Sequence, residues 1–237
     1  KSAYMGPDLI ASTDMGYIFE ELVRKFSESY NEQAGAHFTS RDIIYLMTDL
    51  LISEEKDVLL KKGVVKTVYD QTMGTSQMLG CMEERLKLLD DEAEVALFGQ
   101  ELNGETFAIA KADTLIKGGK ADNMRQGNTL SDDQFHDYTF DYCISNPLFG
   151  IDWKVEKKAV EREAKLGDKG RFGVGLPKIS DGQQLFDLNG LAKLKDTGRM
   201  AIVHNGSPLF SGDAGSGSSE IRRYIIENDW LEAIVQL

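Results

Sequence analysis

Hydrophobic positions in the first part of the chain recur with the spacing of helices. Over residues 14–30 the apolar side chains fall three or four positions apart, which places them on one side of a helix. The polar stretch 31–40 interrupts the pattern, and a second helical pattern follows over 41–51. Thr39 or Ser40 is a suitable N-cap for this second helix, because a short hydroxyl side chain can accept a hydrogen bond from its first free amides.

From residue 64 onward, short apolar runs alternate with amphipathic stretches. Predicted strands cover 64–70, 95–102, a short piece within 122–130, 140–145, 199–204 and 230–237. Predicted helices lie between them at 77–89, 105–118, 182–195 and 219–229. Strands that alternate with helices predict an α/β fold with a doubly wound, mostly parallel sheet. Ligands of such sheets bind beyond the carboxyl ends of the strands.

Two segments interrupt this alternation. Residues 152–177 are highly charged and follow directly on a strand end, so we predict a mobile flap over the site. Residues 211–220, "SGDAGSGSSE", read as a flexible loop leading into a helix. The lysine of a phosphate-binding P-loop is missing from this loop, which argues against a phosphate-cradling role.

Composition limits the class of protein. The chain has 237 residues, of which 41% are hydrophobic, enough for one sizeable core with a small appendage. No apolar run approaches the roughly 20 residues that span a bilayer, and the first residues lack the apolar core of a signal peptide. We therefore expect a cytoplasmic protein without membrane contact. Cys81 and Cys143 lie in apolar or helical contexts and are predicted to be reduced core residues.

Charge and histidine spacing narrow the functional classes further. The net charge of −12 argues against this chain gripping a nucleic-acid backbone alone, although a partner could supply the positive charge. The three histidines, His37, His136 and His204, lack the spacing of metal ligands, so no metal site is predicted.

Polar residues follow the carboxyl ends of the first four predicted strands. Gly74 comes shortly after the first strand and can let backbone approach a ligand closely, since it has no side chain. Glu101, after the second, can accept hydrogen bonds from both hydroxyls of a ribose. Asn128, after the third, offers a donor and an acceptor to the edge of a base. Asn146 follows the fourth strand, and the whole set suits a ligand that contains adenosine.

Each of these residues also has a purely structural explanation. Gly74 and Asn128 occur in ordinary turns, and Glu101 is a favourable charge at a helix amino terminus. The stretch 140–152, "FDYCISNPLFGID", can likewise be a strand followed by a turn. Only their joint position at neighbouring strand ends favours a ligand site. A nucleotide-binding oxidoreductase is not favoured, because no Gly-x-Gly-x-x-Gly follows the first strand.

The chain resembles the methyltransferase (modification) subunits of type I restriction–modification systems. The matching stretches, in family order, are "MGYIFEELVRKF", "GAHFTSRDIIYLM", "VYDQTMGT", "LFGQELNGETFAIAKADTLIKG", "GNTLSDDQF", "FDYCISNPLFGIDW", "RFGVGLP", "GRMAIVHNGSPLFSG" and "SEIRRYIIENDWLEAIVQL". Together they cover almost the whole chain from about Asp14. The family transfers a methyl group from S-adenosylmethionine to the N6 amine of adenine in DNA, and the resemblance implies that activity here.

The resemblance also implies a domain organisation. It places the end of an N-terminal helical domain at 1–34 and a Rossmann-like methyltransferase catalytic domain at 35–237. Sheets of the family contain a seventh, antiparallel strand that has no counterpart in the apolar pattern of this chain. We therefore expect an incomplete sheet and a catalytic domain truncated at its C-terminus.

Site residues carry over from the family position by position. The cofactor-binding residues that the resemblance implies are His37, Phe38, Thr39, Asp70, Thr72, Met73, Gly74, Glu101 and Asn128. Asn146, Pro147 and Phe149 match the catalytic Asn-Pro-Pro-Phe/Tyr motif. In that motif the asparagine oxygen and the proline carbonyl accept the two amine hydrogens, while the aromatic ring stacks on a flipped-out adenine.

Three residues depart from the family pattern. Ser76 stands where a glycine is expected, and is strained if its φ is positive. Gln77 adds bulk where a small residue is usual. Leu148 replaces the second proline of the catalytic motif and leaves that loop less rigid. These departures make a degenerate scaffold subunit that binds cofactor weakly the alternative to an active enzyme.

The resemblance further implies several partners. A separate specificity subunit would bring this chain to double-stranded DNA and read the target sequence. A second copy of the modification subunit and a restriction subunit would complete the assembly.

Overall fold

The computed structural model describes residues 18, 21, 22 and 25, together with 39–54, 65–89 and 94–237. The predicted cofactor residues His37 and Phe38 lie outside the described residues. So do most of the predicted helix at 14–30 and the predicted domain boundary after residue 34.

A single five-stranded parallel sheet organises the described part of the chain. Its strands are β1 (Val65–Asp70), β2 (Glu94–Glu101), β3 (Met124–Gln126), β4 (Phe140–Ser145) and β5 (Leu194–Ile202), in the order β3-β2-β1-β4-β5. The helices are α1 (Arg41–Ile52), α2 (Gln77–Leu89), α3 (Gly104–Ile116), α4 (Lys157–Ala164), α5 (Gln183–Ala192), α6 (Ser207–Phe210) and α7 (Gly217–Glu227). The doubly wound parallel sheet predicted from the sequence is confirmed, and its β5 edge is open within the described residues.

The central strands bury both of their faces, which explains their continuous apolar runs. Successive side chains of a strand point to opposite faces of the sheet. Val68 of β1 therefore packs with Tyr142 in a core cluster covered by α1 and α2, while the adjacent Tyr69 packs with Phe140 and Cys143 on the other face. Both cysteines are buried and free, as predicted.

Strand β5 begins earlier and ends earlier than the predicted range 199–204. Its pairing with β4 starts at Phe140 opposite Leu194 and then shifts register before Tyr142 meets Arg199. Because of this register shift, the first half of β5 contains polar residues. A search for continuous apolar runs therefore does not recognise that half as strand. His204 consequently lies beyond the strand end.

The strand predicted at 230–237 is wrong. These residues form no ladder, and their apolar side chains are largely exposed, with Ile234 at 59% and Val235 at 51%. The alternating pattern identifies a segment that is able to form a strand, but a strand also needs a neighbour with which to pair. Within the described residues the segment does not pair with the outer edge of β5, and that edge stays open. An ion pair between Arg199 and Glu232 links the segment to β5 through side chains.

The charged segment 152–177, predicted as a flap, folds around a small core of its own. Trp153, Val160 and Phe172 are buried and pack against Leu185 of α5. The Trp153 indole also donates to the Lys178 carbonyl at 3.0 Å. These few apolar residues are spaced widely among charges, so the sequence pattern conceals the core they form.

Among the helices of the described residues, none combines the length and hydropathy needed to cross a membrane.

Candidate functional site

A cavity of about 370 Å³ opens at the carboxyl ends of the strands. Seven of the predicted site residues lie on its wall: Thr39, Thr72, Met73, Gly74, Glu101, Asn128 and Asn146. Asp70, Pro147 and Phe149 do not. Leu148, Trp153 and Glu156 join the wall from the stretch after β4. Residues that follow different strands therefore line one cavity, as the sequence predicts.

The loop after β1 turns through two left-handed residues. Gly74 has φ +54°, and a Cβ added there would meet no atom of the described residues within 4 Å. Glycine is thus favoured by backbone conformation and not by crowding. Ser76 is buried and has φ +71°. The sequence predicts strain at Ser76 if its φ is positive, and its φ is positive. A non-glycine residue in this region costs about 1–2 kcal/mol.

Replacing Ser76 with glycine should therefore stabilise the protein. We expect the free energy of unfolding to rise by about 1 kcal/mol in chemical denaturation, since glycine removes the steric cost of the left-handed backbone. The matched control is Ser53→Gly, because Ser53 has φ −55° and ordinary helical geometry. The control should lose stability. A loss of stability in both variants would contradict the strain assigned to Ser76.

The Glu101 carboxylate clamps two backbone segments around the cavity. One oxygen accepts from the Gly74 amide at 3.0 Å and the other accepts from the Asn103 amide at 2.7 Å. Asn103 in turn caps α3, its side chain accepting from the amides of Glu105 and Thr106. Each Glu101 oxygen keeps a further lone pair, so the carboxylate can still accept from a ligand hydroxyl.

Asp70 lies beneath the loop and away from the cavity wall. Its Oδ1 accepts from the Thr72 amide at 2.9 Å, while the buried Oδ2 has no hydrogen-bond partner among the residues that the structure describes. Burial raises the pKa of Asp70 to about 7, a shift opposed by the Thr72 amide and reinforced by the Glu101 charge. The carboxyl group therefore titrates near neutral pH.

This titration predicts a pH-dependent stability. The folded protein holds the Asp70 proton more tightly than the unfolded chain, whose ordinary pKa is 3.8. The stability from this group is complete below pH 3.8 and is lost as pH rises through about 7. Relative to Asp70→Asn, we expect the wild type to lose roughly 4 kcal/mol of unfolding free energy across this window in denaturant titrations. A pH-independent difference between the two proteins would contradict this prediction.

Asn128 is held by partners on both sides of its amide. Its oxygen accepts from the Leu130 amide at 2.9 Å, and its nitrogen donates to Glu156 at 2.7 Å. One amide hydrogen and one lone pair remain for a ligand. The bond to Glu156 also ties the strand end to the charged segment, which sequence reasoning did not connect with the site.

Asn146 has its amide oriented by Thr39. The Asn146 nitrogen donates to the Thr39 hydroxyl oxygen at 2.9 Å, while the hydroxyl hydrogen points to the Met78 sulfur at 3.9 Å. Among the described residues, the Asn146 oxygen has no hydrogen-bond partner. Pro147 is buried, and Phe149 is 44% exposed outside the cavity wall.

Sequence reasoning missed the role of Gln71, which is fully buried beside the site. Its side-chain nitrogen donates to the Ser145 hydroxyl and the Phe186 carbonyl, and its oxygen accepts from Asn189 at 2.6 Å. Gln71 thus connects the loop after β1 to the residue that precedes Asn146. The only sequence signal was a long amide directly after a buried strand.

Comparisons with known proteins identify similar sequences and folds. The sequence profile of the N-6 DNA methylase family matches residues 11–237. The chain is 28% identical over 223 residues to the type I restriction enzyme MjaIX methylase subunit of Methanocaldococcus jannaschii. It is 25% identical over 237 residues to the type I restriction enzyme MpnII methylase subunit of Mycoplasma pneumoniae. These alignments cover 93% and 94% of this chain but 37% and 40% of the relatives, so the chain spans less than half of their length.

Solved structures show the same fold. The type I restriction–modification methyltransferase subunit from Streptococcus thermophilus aligns with a TM-score of 0.70 and 27% identity, over 92% of this chain and 43% of that one. A Listeria monocytogenes protein described as a class I S-adenosylmethionine-dependent methyltransferase aligns with a TM-score of 0.69 and 16% identity, over 94% and 62%. The second likeness bears on the fold alone, and both match the Rossmann-like methyltransferase architecture predicted from the sequence.

Proposed function

Because this chain belongs to the N-6 DNA methylase family, we propose that it transfers a methyl group from S-adenosylmethionine to the N6 amine of adenine in DNA. The observation that carries the proposal is the Asn146 amide. It stands at the carboxyl end of β4 on the cavity wall, with its nitrogen bonded to Thr39 and its oxygen available as an acceptor.

The residues around the cavity suit S-adenosylmethionine. Glu101, Asp152 and Glu156 place carboxylates on the wall, and Asp70 adds a buried carboxyl group behind it. Acidic surroundings favour a ligand that carries a sulfonium and an ammonium charge. Thr72, Met73 and Gly74 would hold the methionine end. Glu101 would hold the ribose, and Asn128 would hold the adenine of the cofactor.

The cofactor supplies an activated methyl group, and the protein supplies orientation. The exocyclic amine of adenine is a poor nucleophile, because its lone pair is delocalised into the ring. The Asn146 oxygen and the Pro147 carbonyl would each accept one amine hydrogen, which directs the nitrogen lone pair at the methyl carbon. When bound, S-adenosylmethionine would supply an electrophilic methyl carbon with a neutral thioether as the leaving group, and one of the amine hydrogens held by Asn146 and Pro147 would leave to solvent as a proton. Orientation of this kind lowers the barrier without a covalent enzyme intermediate.

The target base has to leave the duplex to reach this site, since a paired adenine cannot enter the cavity. Phe149 is exposed next to the Asn-Pro stretch and would stack on the flipped base. Leu148 lies on the wall and would line the same pocket.

The named relatives are methylase subunits of restriction enzymes. We therefore assign this chain to a multi-subunit restriction–modification complex, in which a specificity subunit, a second modification subunit and a restriction subunit are its partners.

Calorimetric titration of S-adenosylmethionine into the full-length protein tests the proposal against the scaffold alternative. An active subunit should give saturable heat with one site per chain, because Gly74, Glu101 and Asn128 line one cavity although Ser76 and Gln77 depart from the family pattern. Absence of saturable binding at about millimolar ligand, a level near −4 kcal/mol of binding free energy, would favour the weakly binding scaffold.

A further inference from the structure

Positive charge is concentrated in the segment that follows the Asn-Pro stretch. Between Asp152 and Lys178 the chain carries eight Lys or Arg and five Asp or Glu, a net charge of +3. The whole chain has a net charge of −12. This segment is therefore a basic region in an otherwise acidic protein. If the charged residues served only to keep the surface soluble, we would expect the segment to be as acidic as the rest of the chain.

Three of these cations form one line, which we call the basic stripe. It consists of Lys158, Arg162 and Lys165, which stand four and three residues apart on α4 and its C-cap. That spacing places them on one side of the helix. All three are exposed, whereas Val160 is buried and packs into the small core of the segment. The helix thus turns its apolar side inward and its basic side to solvent.

The charges of the basic stripe are not compensated within the described part of the chain. Neighbouring cations are paired, Lys154 with Asp152 at 3.0 Å and Lys157 with Glu161 at 3.6 Å. None of the three stripe residues makes an ion pair there. Like charges one helical turn apart destabilise a helix by a few tenths of a kcal/mol. An anionic ligand would remove this repulsion.

The basic stripe is held at a fixed position relative to the cavity. Its helix starts directly after Glu156, which lines the cavity and accepts from Asn128 at 2.7 Å. Trp153 also lines the cavity and anchors the segment through its buried indole. From Lys158 to Lys165 the helix rises about 10 Å. This length matches about three nucleotide steps at 3.4 Å each along one DNA strand.

We propose that the basic stripe binds the phosphate backbone of the DNA duplex beside the target adenine. The inference rests on the proposed function and adds a contact surface on this chain to it. Phosphate contacts fix the position of a duplex without reading its sequence, so such a surface needs no base recognition. The acidic remainder of the chain repels a phosphate backbone, and the stripe then determines which side of the protein faces the DNA.

The test compares two charge-matched triple variants of the full-length protein, each in complex with the proposed specificity subunit. The stripe variant carries Lys158→Gln, Arg162→Gln and Lys165→Gln. The control variant carries substitutions on α2, on α3 and in the loop before β3, namely Lys87→Gln, Lys111→Gln and Lys120→Gln. Fluorescence anisotropy gives the affinity for a labelled duplex of mixed sequence as salt is varied. Calorimetry with S-adenosylmethionine and circular dichroism establish that each variant is folded and keeps its cofactor site.

The stripe variant should bind the duplex more weakly and flatten the slope of log K against log salt by about 2–3, since each lost phosphate contact contributes about 0.9. The control variant should keep the wild-type slope, and both variants should keep the wild-type cofactor affinity. Equal slopes in all three proteins, or a wild type without salt-dependent duplex binding, would overturn the inference. Loss of subunit assembly with an unchanged slope would overturn it as well and assign the stripe to a protein partner. Failure of the proposed function is seen separately, as a wild type that transfers no methyl group to DNA.

Discussion

Asn146→Ala is expected to reduce methyl transfer by at least about 100-fold, the scale of rate loss when a reacting group is no longer positioned. Alanine removes the side-chain oxygen that would accept an amine hydrogen and direct the nitrogen lone pair. Cofactor affinity should stay near the wild-type value, because the proposed cofactor contacts come from the other strand ends. Transfer is measured with a methyl-labelled cofactor and unmethylated DNA, and affinity by calorimetry.

Asn228→Ala is the matched control for this substitution. Asn228 is exposed at the C-cap of α7, where its amide donates to the Tyr224 carbonyl. The control should transfer methyl groups at the wild-type rate. Unchanged transfer in Asn146→Ala would show that the amine acceptor has been assigned to the wrong residue.

Glu101→Gln should weaken S-adenosylmethionine binding by about 10- to 100-fold, the range expected for a lost hydrogen bond to a charged group. The carboxylate accepts from the Gly74 and Asn103 amides with separate oxygens. A glutamine amide has only one oxygen, so its NH2 group would face one of these backbone donors. The loop after β1 and the ribose contact would be disturbed together.

Glu105→Gln separates this effect from a general loss of negative charge. Glu105 lies four residues away, exposed in the first turn of α3. Its replacement should cost a few tenths of a kcal/mol of stability through the helix dipole and leave cofactor affinity unchanged. Equal affinity in wild type and Glu101→Gln would remove Glu101 from the cofactor site.

The sheet could be predicted because its signals are local. The buried apolar runs of β1 and β4 identify strands without reference to their neighbours, and the predicted bounds of β4 and α2 match the structure. Pairing is not local, which is why the strand predicted at 230–237 failed. A sequence pattern shows that a segment can pair, whereas only the three-dimensional arrangement supplies a partner strand.

The site was predictable where residues follow directly on strands. Glu101, Asn128 and Asn146 were placed at one crevice by topology alone, and the structure brings them to one cavity wall. Glu156 and Gln71 could not be found in this way. Glu156 reaches the cavity through the folding of a charged segment whose small core is dispersed in sequence, and Gln71 acts through partners more than 70 residues away.

Backbone conformation explains why a sequence departure need not abolish a site. Ser76 adopts the left-handed geometry that glycine would adopt more easily, so the loop keeps its path at an energetic cost. Leu148 likewise leaves Asn146 on the cavity wall and lines the wall itself. The departures thus bear on stability and affinity more than on the placement of the reacting groups.

The most direct measurement is the identity of the product after incubation of the full-length protein, in complex with the proposed specificity subunit, with methyl-labelled S-adenosylmethionine and unmethylated DNA. Mass spectrometry of the digested nucleosides should find the label in N6-methyladenine, and Asn146→Ala should abolish that signal. Label in another nucleoside, or DNA that stays unlabelled while the protein binds the cofactor, would contradict adenine N6 methylation as the function of this site.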